Sequence, residues 1–284
     1  MQETGLILEG GGMRGIYTAG VLDFFLDDHI KLRRIYAVSA GACHACSYLS
    51  GQKDRARRTV MDYLKDPRYA TFRSLRKTGD LFSREFVYDE IPNKLLPFDY
   101  DAFKESDFDF TVVVTNIRSG KAEYKKVHDL KSEIDIIRAS SSLPYVSKKV
   151  EIDGEYYMDG GISDSIPYER SCEDGNCRNI VVLTRQLGYE KKPDSMVYLG
   201  RMLYRRYPEL VESMKTRHQR YNDALLNILR GMKDGRVLII CPKSSVKVGR
   251  LEKDPERLYE LYIQGYNDAK EKSAQLHKFL DAAQ

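Results

Sequence analysis

Two successive strand–turn–helix units at the start of the chain restrict its fold more than any other feature of the sequence. Residues 5–8 form a short apolar run that leads into a glycine-rich loop, and residues 16–26 carry apolar side chains at helical spacing. The pattern repeats at residues 34–38, which are followed by Ser39 and by small and apolar residues over 40–49. Two such units in tandem favour right-handed crossovers and a mainly parallel sheet that helices cover on both faces. We therefore predict an α/β fold.

Hydrophobic periodicity also predicts the remaining elements. These are hairpins at 108–114 with 122–127 and at 150–152 with 155–158, a helix at 134–139, buried strands at 179–184 and 237–241, and helices at 203–229 and 255–280. Periodicity is weak over residues 66–103, where Pro67, Pro92 and Pro97 interrupt it, so we expect an irregular flap there. No linker rich in proline, glycine or serine separates the last third from the rest, which favours one compact domain with a C-terminal extension.

Composition and cysteine content indicate a globular protein of a reducing compartment. The chain has 284 residues, of which 42% are hydrophobic. It shows no secretory signal and no apolar run of the ~20 residues that span a membrane, so we expect a soluble cytoplasmic protein. Its five cysteines are an odd number and are interpreted as reduced thiols. Cys43 and Cys46 form a CxxC that we interpret as buried thiols rather than as a redox or metal pair. Cys172 and Cys177 flank a turn and are expected to be free rather than bridged.

Two segments concentrate the positive charge of a chain whose net charge is only +4. The first contains Lys53, Arg55, Arg57, Arg58, Lys65, Arg68, Arg73, Arg76 and Lys77, and the second contains Arg201, Arg205, Arg206, Lys215, Arg217 and Arg220. The simplest interpretation is solvated helix faces. The alternative is peripheral contact with the anionic inner face of a membrane, to which each basic residue contributes on the order of 1 kcal/mol. No nucleic-acid-binding motif or stacking-aromatic pattern accompanies the charge, so we expect no nucleic-acid partner.

The loop that follows the first predicted strand has two competing interpretations. Gly10-Gly11-Gly12-Met13-Arg14-Gly15 satisfies GxGxxG, the dinucleotide-binding fingerprint. A nucleotide site would require an acidic residue at the end of the second strand to bind the ribose hydroxyls, but that strand ends at Val38 and Ser39. The loop is better interpreted as a cradle of backbone N–H groups for an anion at a helix N-terminus. An NAD(P)-binding oxidoreductase remains the alternative.

Ser39 stands in the setting that a nucleophilic serine requires. A sharp strand-to-helix turn that exposes a serine needs small residues two positions before and two positions after it. Ala37 and Gly41 occupy these positions, with alanine where the GxSxG pattern has glycine. One extra methyl group can be accommodated by a slight shift of the helix. We predict that Ser39 is a nucleophile and that Arg14 braces the neighbouring loop through hydrogen bonds, with phosphate binding as a further option.

A nucleophilic serine needs a proton acceptor, and Asp159 is our candidate. The five histidines, at 29, 44, 128, 218 and 277, show no motif that places one beside Ser39. A partly desolvated carboxylate within hydrogen-bond reach can act as the base, because burial disfavours its charged form. Asp159 ends a predicted strand, and Gly160 and Gly161 allow close approach of the chain. The other three Asp-Gly pairs lie in a hairpin turn, a polar loop and a helix end.

Four of these segments occur in the order found in one known family. Residues 10–15 are similar to its oxyanion loop, residues 37–41 to its nucleophile elbow, residues 139–144 to a block of the form A-S-x-x-x-P, and residues 159–161 to its aspartate motif. The chain therefore resembles the patatin-like phospholipases over residues 5–172, and residues 173–284 form a C-terminal strand and helix extension on the same domain. The resemblance implies a three-layer α/β fold and a Ser-Asp dyad that hydrolyses acyl esters of lipids.

We therefore expect a lipid or carboxylic-ester hydrolase that forms an acyl-enzyme and needs neither metal nor cofactor. Ser39 would attack, Asp159 would accept its proton, and the loop of Gly10, Gly11, Gly12 and Met13 would stabilise the oxyanion. A non-catalytic lipid-binding module with the same fold is the second alternative. Pocket-lining residues are expected from the flap at 72–103 and from the C-terminal helices. Headgroup, acyl chain length and oligomeric state are left open by the sequence.

Overall fold

The central element of the protein is one mixed sheet that is parallel in its middle. The computed structural model describes residues 4–282, apart from the side chains of Phe72 and Arg73. The strands in this part are β1 (Thr4–Leu8), β2 (Arg34–Val38), β3 (Asp109–Asn116), β4 (Ala122–Lys126), β5 (Val150–Ile152), β6 (Glu155–Asp159), β7 (Arg178–Val182) and β8 (Val237–Ile240). Their order is β5-β6-β3-β2-β1-β7-β8, with β4 paired to β3. Strands β1, β2, β3, β7 and β8 are mutually parallel, whereas β4, β5 and β6 pair in antiparallel fashion.

Helices cover both faces of this sheet, as the sequence predicted. They are α1 (Ile16–Asp27), α2 (Ala40–Leu49), α3 (Arg55–Met61), α4 (Phe72–Thr78), α5 (Tyr100–Glu105), α6 (Leu130–Ser140), α7 (Tyr168–Glu173), α8 (Val197–Leu203), α9 (Pro208–Lys233), α10 (Pro255–Glu271) and α11 (Ser273–Asp281). Alternate residues of β1 point to opposite faces. Leu6 and Leu8 join the core formed with α1 and α10, whereas Ile7 joins the core formed with α7 and α9.

Helix α10 of the C-terminal extension packs directly on α1. The Tyr17 hydroxyl of α1 donates to Asp268 of α10 over 3.0 Å, and the Tyr262 hydroxyl of α10 donates to Asp23 of α1 over 2.7 Å. Each helix therefore supplies a hydrogen-bond donor to a buried carboxylate of the other. These partners are more than 230 positions apart in the chain. The extension therefore contributes to the main core, although the division of the chain at residue 172 stays a prediction.

Residues 66–103 are more regular than the sequence predicted. They contain α4, a π-helical segment at Phe86–Leu95 and α5, so the expectation of an irregular flap was wrong. Side-chain caps stabilise two of these helices although their hydrophobic periodicity is weak. At the start of α4 the Thr71 side chain accepts from the Ser74 amide, and at the start of α5 the Asp99 side chain accepts from the Ala102 amide. The predicted helix 203–229 corresponds to α9, which begins at Pro208 and ends at Lys233, whereas the predicted helix 255–280 is interrupted at Lys272.

The basic segments are only partly solvated helix faces. Lys53 pairs with Asp27 and Arg58 with Asp62, as expected for exposed charges. Arg55, in contrast, is 9% exposed and donates to the carbonyl of Leu96. The predicted solvation is also wrong for two arginines of α9, Arg217 and Arg220. Arg220 donates to the carbonyls of Ile162 and Ser163, and Arg217 lines an internal cavity.

The five cysteines are all free thiols, as the sequence predicted. Cys46 is buried and Cys43 is partly buried, whereas Cys172 and Cys177 are exposed. Burial raises the pKa of the Cys43 thiol, which accordingly stays protonated at neutral pH.

Candidate active site

Ser39 occupies the turn between β2 and α2, where the backbone is strained. Its φ and ψ are 54° and −123°, a conformation that side-chain-bearing residues rarely adopt. The turn is tight because α2 starts directly against the end of β1: a Cβ at Gly41 would lie 2.7 Å from the Leu8 carbonyl oxygen. Ala37, two residues before the serine, is fully buried in β2 and its methyl group is accommodated. The predicted serine turn is therefore formed.

Ser39 and Asp159 lie in direct contact, although 120 positions separate them in the chain. The Ser39 hydroxyl donates to Oδ2 of Asp159 over 2.8 Å, and the other carboxylate oxygen accepts from the Gly161 amide over 2.8 Å. Both residues are buried, with exposed fractions of 5% and 3%. Gly160, which directly follows Asp159, lies against the backbone of Val113 in β3. The hydroxyl and the carboxylate that the sequence singled out thus meet.

The segment at residues 139–144 holds both members of this pair. The Ser39 amide donates to the Ser140 hydroxyl over 2.8 Å, and the Asp159 amide donates to the Ser142 carbonyl over 2.9 Å. One short segment at the end of α6 thereby fixes the backbone of Ser39, directly after β2, and of Asp159, at the end of β6. This gives the family block of the form A-S-x-x-x-P a structural explanation.

Burial raises the pKa of the Asp159 carboxyl, and this effect exceeds the opposing influence of the Arg217 charge and of the hydrogen bond from Ser39. The carboxylate is therefore a stronger base than an exposed aspartate. His44, on α2, is also buried, and burial lowers its pKa to about 4. Within residues 4–282, no hydrogen bond joins a histidine to Ser39.

The glycine loop lies beside Ser39, as predicted, but its amides are not equivalent. A Cβ at Gly10 would lie 3.0 Å from the Ser39 Cβ, which places the loop against the serine. Gly12 has φ of 58° and begins a 3-10 turn that ends at Gly15. The Met13 amide donates to the Arg250 carbonyl over 3.0 Å. Met13, which the sequence included in the oxyanion hole, therefore has its N–H already engaged.

Arg14 does not brace the loop by hydrogen bonding, in contrast to the prediction. Its side chain is buried, with 5% exposed, and its Nε has no hydrogen-bond partner in the described part of the chain. Burial and the charge of Arg185 lower its pKa to about 10. Gly15, next in sequence, instead allows close contact with Ala40 at the start of α2.

Two cavities of opposite character meet at Ser39. The first has a volume of about 120 Å³ and is mainly apolar, and its walls include Met13, Ala56, Val60, Phe82, Val87 and Tyr88. The last three of these come from the predicted flap, as expected, whereas the side chain of Phe72 lies outside the described residues. The second has a volume of only about 20 Å³, is polar, and includes Glu9, Arg14, Lys191, Arg217, Tyr221 and Arg250. Helix α9 contributes to this polar cavity and not to the apolar one.

Sequence reasoning missed three of the four cations that line the polar cavity. Lys191 lies in the loop between β7 and α8, and Arg250 lies in the loop before α10. Arg217 was assigned to a solvent face. Neither loop contains a motif, so no local signal could have placed these residues next to Ser39.

The chain belongs to the patatin-like phospholipase family. A family model of that description matches residues 6–170, which is more than half of the chain. The match confirms the resemblance inferred from the four motifs. A second family model, described as a domain of unknown function (DUF6363), matches residues 207–281 and so covers α9 to α11.

Individual relatives give weaker information. The chain is 29% identical over 184 residues to "Uncharacterized protein YjjU" of Escherichia coli (strain K12), which is 63% of this chain and 51% of that protein. It therefore spans about half the length of this relative. Among solved structures, the crystal structure of VipD from Legionella pneumophila aligns with a TM-score of 0.48 and 13% identity, covering 100% of this chain and 67% of VipD.

Residues 4–282 contain no group of three or more His, Cys, Asp or Glu side chains that could hold a metal ion. None of the helices in this range combines the length and the apolar composition that crossing a bilayer requires.

Gly12→Ala should destabilise the protein more than Gly51→Ala. Both glycines have positive φ, 58° and 67°, so alanine costs roughly 1–2 kcal/mol at either position. Only at Gly12 does the new methyl group meet backbone, 2.6 Å from the Arg250 carbonyl oxygen, whereas Gly51 faces open space. We expect a further ~1–3 kcal/mol loss in the free energy of unfolding, measured by urea denaturation. Equal losses for the two variants would contradict the close packing of the loop on residue 250.

Proposed function

We propose that the protein is a serine acyl hydrolase that cleaves carboxylic esters of lipids through a Ser39-Asp159 dyad. The observation that carries this proposal is the 2.8 Å hydrogen bond from the Ser39 hydroxyl to a buried carboxylate. It is supported by the apolar cavity on one side of the serine and by the glycine loop against it. Neither an NAD(P)-binding oxidoreductase nor a non-catalytic lipid-binding module would require this contact.

Acylation would proceed by transfer of one proton and one acyl group. Asp159 accepts the Ser39 proton as Oγ attacks the ester carbonyl carbon, which gives a tetrahedral intermediate. When the intermediate collapses, the bond between the carbonyl carbon and the alcohol oxygen breaks. The protonated Asp159 then donates its proton to the leaving alcohol, and the acyl group remains on Ser39. The raised pKa of Asp159 suits both steps, because the group must gain and then lose a proton.

The developing oxyanion would be stabilised by the amides of Gly11 and Gly12. Removal of one such donor typically costs ~2.7–4 kcal/mol of transition-state stabilisation. The Met13 amide donates to the Arg250 carbonyl, so in this proposal it orients the loop instead of contacting the oxyanion. Gly10 contributes by bringing the loop against Ser39.

Deacylation would repeat the chemistry with water as the nucleophile. Asp159 accepts a proton from water as the hydroxyl oxygen attacks the acyl carbon, and it returns that proton to Ser39 Oγ as the acyl bond breaks. The products are a carboxylic acid and the free serine. The acyl chain would lie in the apolar cavity during both steps, because this cavity is lined mainly by apolar side chains and opens at Ser39.

Ser39→Ala and Asp159→Asn should each abolish hydrolysis of a p-nitrophenyl ester. Loss of the base is expected to reduce kcat about 10²–10⁴-fold. Asp164→Asn is the matched control. Asp164 lies five positions after Asp159 and is partly buried, but its carboxylate accepts hydrogen bonds from the Tyr124 hydroxyl and the Ile166 amide. A fluorophosphonate probe should label Ser39 in the wild type, as located by mass spectrometry. Full activity of Ser39→Ala would refute the proposal.

The pH profile should show an acid limb set by Asp159. Since the base works deprotonated and burial raises its pKa, kcat/KM is expected to fall as the pH drops through a value above the ~3.9 of an exposed aspartate. Arg217→Gln should move this limb to higher pH, because the Arg217 charge lowers the pKa of the carboxyl. The limb should persist in His218→Gln and His277→Gln. Its disappearance in either variant would indicate a histidine base.

We further propose that α8 makes peripheral contact with an anionic membrane. Its large apolar side chains are unusually exposed: 74% for Tyr198, 62% for Met202 and 57% for Leu203. Arg201, Arg205 and Arg206 are exposed beside them. Apolar side chains that insert between headgroups, together with cations that meet anionic lipids, are typical of interfacial helices. A cytoplasmic location at the inner face of the membrane, expected from the sequence, stays a prediction.

Met202→Ser with Leu203→Ser should weaken binding to vesicles of phosphatidylcholine and phosphatidylserine. Burial of two apolar side chains contributes enough that we expect a loss of about tenfold or more, measured by co-sedimentation. Leu226→Ser is the control, because Leu226 is 52% exposed but lies on α9 away from this cluster. Unchanged binding of the double variant would exclude α8 as the contact.

A further inference from the structure

The apolar cavity follows one face of α2 away from Ser39. Ala40, Cys43, His44 and Ser47 all line it, and their spacing of three and four positions places them on one side of the helix. At the usual helical rise, His44 lies about 7.5 Å and Ser47 about 12 Å along the helix axis from Ser39. The cavity therefore extends from Ser39 for about two turns of α2.

Three polar side chains on the wall of this cavity have no hydrogen-bond partner. They are His44, Ser47 and Tyr69, which are buried with exposed fractions of 6%, 3% and 4%. Within residues 4–282, neither the ring nitrogens of His44 nor the hydroxyls of Ser47 and Tyr69 form a hydrogen bond. Buried polar groups normally have such a partner. The polar atoms of these three residues are not fully enclosed by protein, so they are open to the cavity that they line.

The other polar groups of the same wall are already engaged within the protein. The Thr59 hydroxyl donates to the Arg55 carbonyl over 2.9 Å, and the Arg55 guanidinium donates to the Leu96 carbonyl over 2.8 Å. The Cys43 thiol lies 3.2 Å from the Ser141 hydroxyl. The three groups without partners are therefore an exception on this wall, and they remain available to a ligand.

The available groups suit a neutral ligand group that can both donate and accept hydrogen bonds. Burial lowers the pKa of His44 to about 4, so its ring is uncharged at neutral pH and has one N–H donor and one acceptor nitrogen. The hydroxyls of Ser47 and Tyr69 each donate and accept as well. Arg55 is the one cation on the described wall, and its guanidinium already contacts the Leu96 carbonyl and lies over the Phe98 ring. A carboxylate would be costly to bury here, whereas a hydroxyl would not.

We propose that the far part of the apolar cavity binds a hydroxyl group on the acyl chain of the substrate. The inference rests on the proposed function, and it specifies the substrate class as esters of hydroxy fatty acids whose hydroxyl lies near the end of a medium-length chain. An extended octanoyl chain on Ser39 would end between the levels of His44 and Ser47 along α2. Ligand sites are typically apolar with a few polar groups that fix orientation and specificity, and this cavity has that composition.

An unsubstituted alkyl chain would fit this wall less well. It would displace water from His44, Ser47 and Tyr69 and leave their polar atoms without partners. A site that is built to bind a hydroxyl rejects the analogue without it strongly, because its own buried polar groups then stay unpaired. The three side chains are therefore expected to select among acyl groups instead of only accommodating them.

The test compares the p-nitrophenyl esters of ω-hydroxyoctanoate and nonanoate, which differ only in a hydroxyl in place of a terminal methyl group. The full chain should hydrolyse the hydroxylated ester with kcat/KM about tenfold higher. Apolar burial alone would favour the nonanoyl ester, so a preference in this direction requires hydrogen bonds.

Ser47→Ala and Tyr69→Phe should each reduce this ratio about fivefold, because each removes one hydroxyl and little volume. Ser50→Ala is the matched control on the same helix end and should keep the wild-type ratio. The Ser50 hydroxyl does not line the cavity, and it donates to the Ser47 carbonyl and to Gln52. Hydrolysis of the nonanoyl ester should be unchanged or faster in the two cavity variants, which distinguishes lost recognition from damage to the fold.

Two results would overturn the inference. They are equal or higher kcat/KM for the nonanoyl ester in the wild type, and a preference for the hydroxylated ester that neither Ser47→Ala nor Tyr69→Phe reduces. In both cases hydrolysis of the two esters would leave the proposed hydrolase intact. Absence of hydrolysis of both esters, together with absence of fluorophosphonate labelling, would instead count against the hydrolase itself.

Binding to Ser39→Ala supplies a readout that does not depend on turnover. Calorimetric titration of this variant with methyl ω-hydroxyoctanoate and methyl nonanoate should give about tenfold tighter binding of the hydroxylated ester. Adding Ser47→Ala should remove most of that difference, and adding Ser50→Ala should preserve it. Equal affinities for the two esters would mean that the three polar side chains hold water only, and the inference would fail.

Discussion

The strained turn at Ser39 is the constraint on which the rest of the site depends. A residue with a side chain is held at positive φ between a buried strand and a helix, and it stays there because its surroundings leave no alternative. The Ser140 hydroxyl accepts from its amide, and the backbone of Leu8 lies within contact distance of the first turn of α2. This geometry directs the hydroxyl at Asp159 and away from the apolar core. The sheet, α2 and the segment after α6 together fix the position of the Ser39 side chain.

Much of the geometry of the candidate site could be predicted from the sequence because it depends on local requirements. Small residues on both sides of Ser39 are needed for the turn, and a strand followed by Asp159 and two glycines is needed for close approach of a carboxylate. Strand register then brings the two residues together: β6 is antiparallel to β3 and pairs Asp159 with Val114, while β2 pairs Val38 with the neighbouring Val113. The hydrogen bond between Ser39 and Asp159 is the outcome of these rules.

The parts that sequence reasoning could not supply depend on tertiary packing. Lys191 and Arg250 lie in loops without a motif, and their position beside the glycine loop depends on tertiary packing, including that of α9 on the sheet and of α10 on α1. Arg217 resembled a solvent-facing residue because a helical pattern of charges does not reveal which face a cavity will occupy. The helices within residues 66–103 were missed for a related reason: short helices held by caps at Thr71 and Asp99 leave little hydrophobic periodicity.

The bond from the Met13 amide to the Arg250 carbonyl has a consequence for the order of events during synthesis. The loop beside Ser39 is synthesised well before its hydrogen-bond acceptor, which lies more than 200 positions further along the chain. Proteins emerge from the ribosome N-terminus first. A nascent chain consequently carries Ser39 and Asp159 before the loop beside them has its acceptor, so under the proposed function the site is complete only after residue 250 has been made.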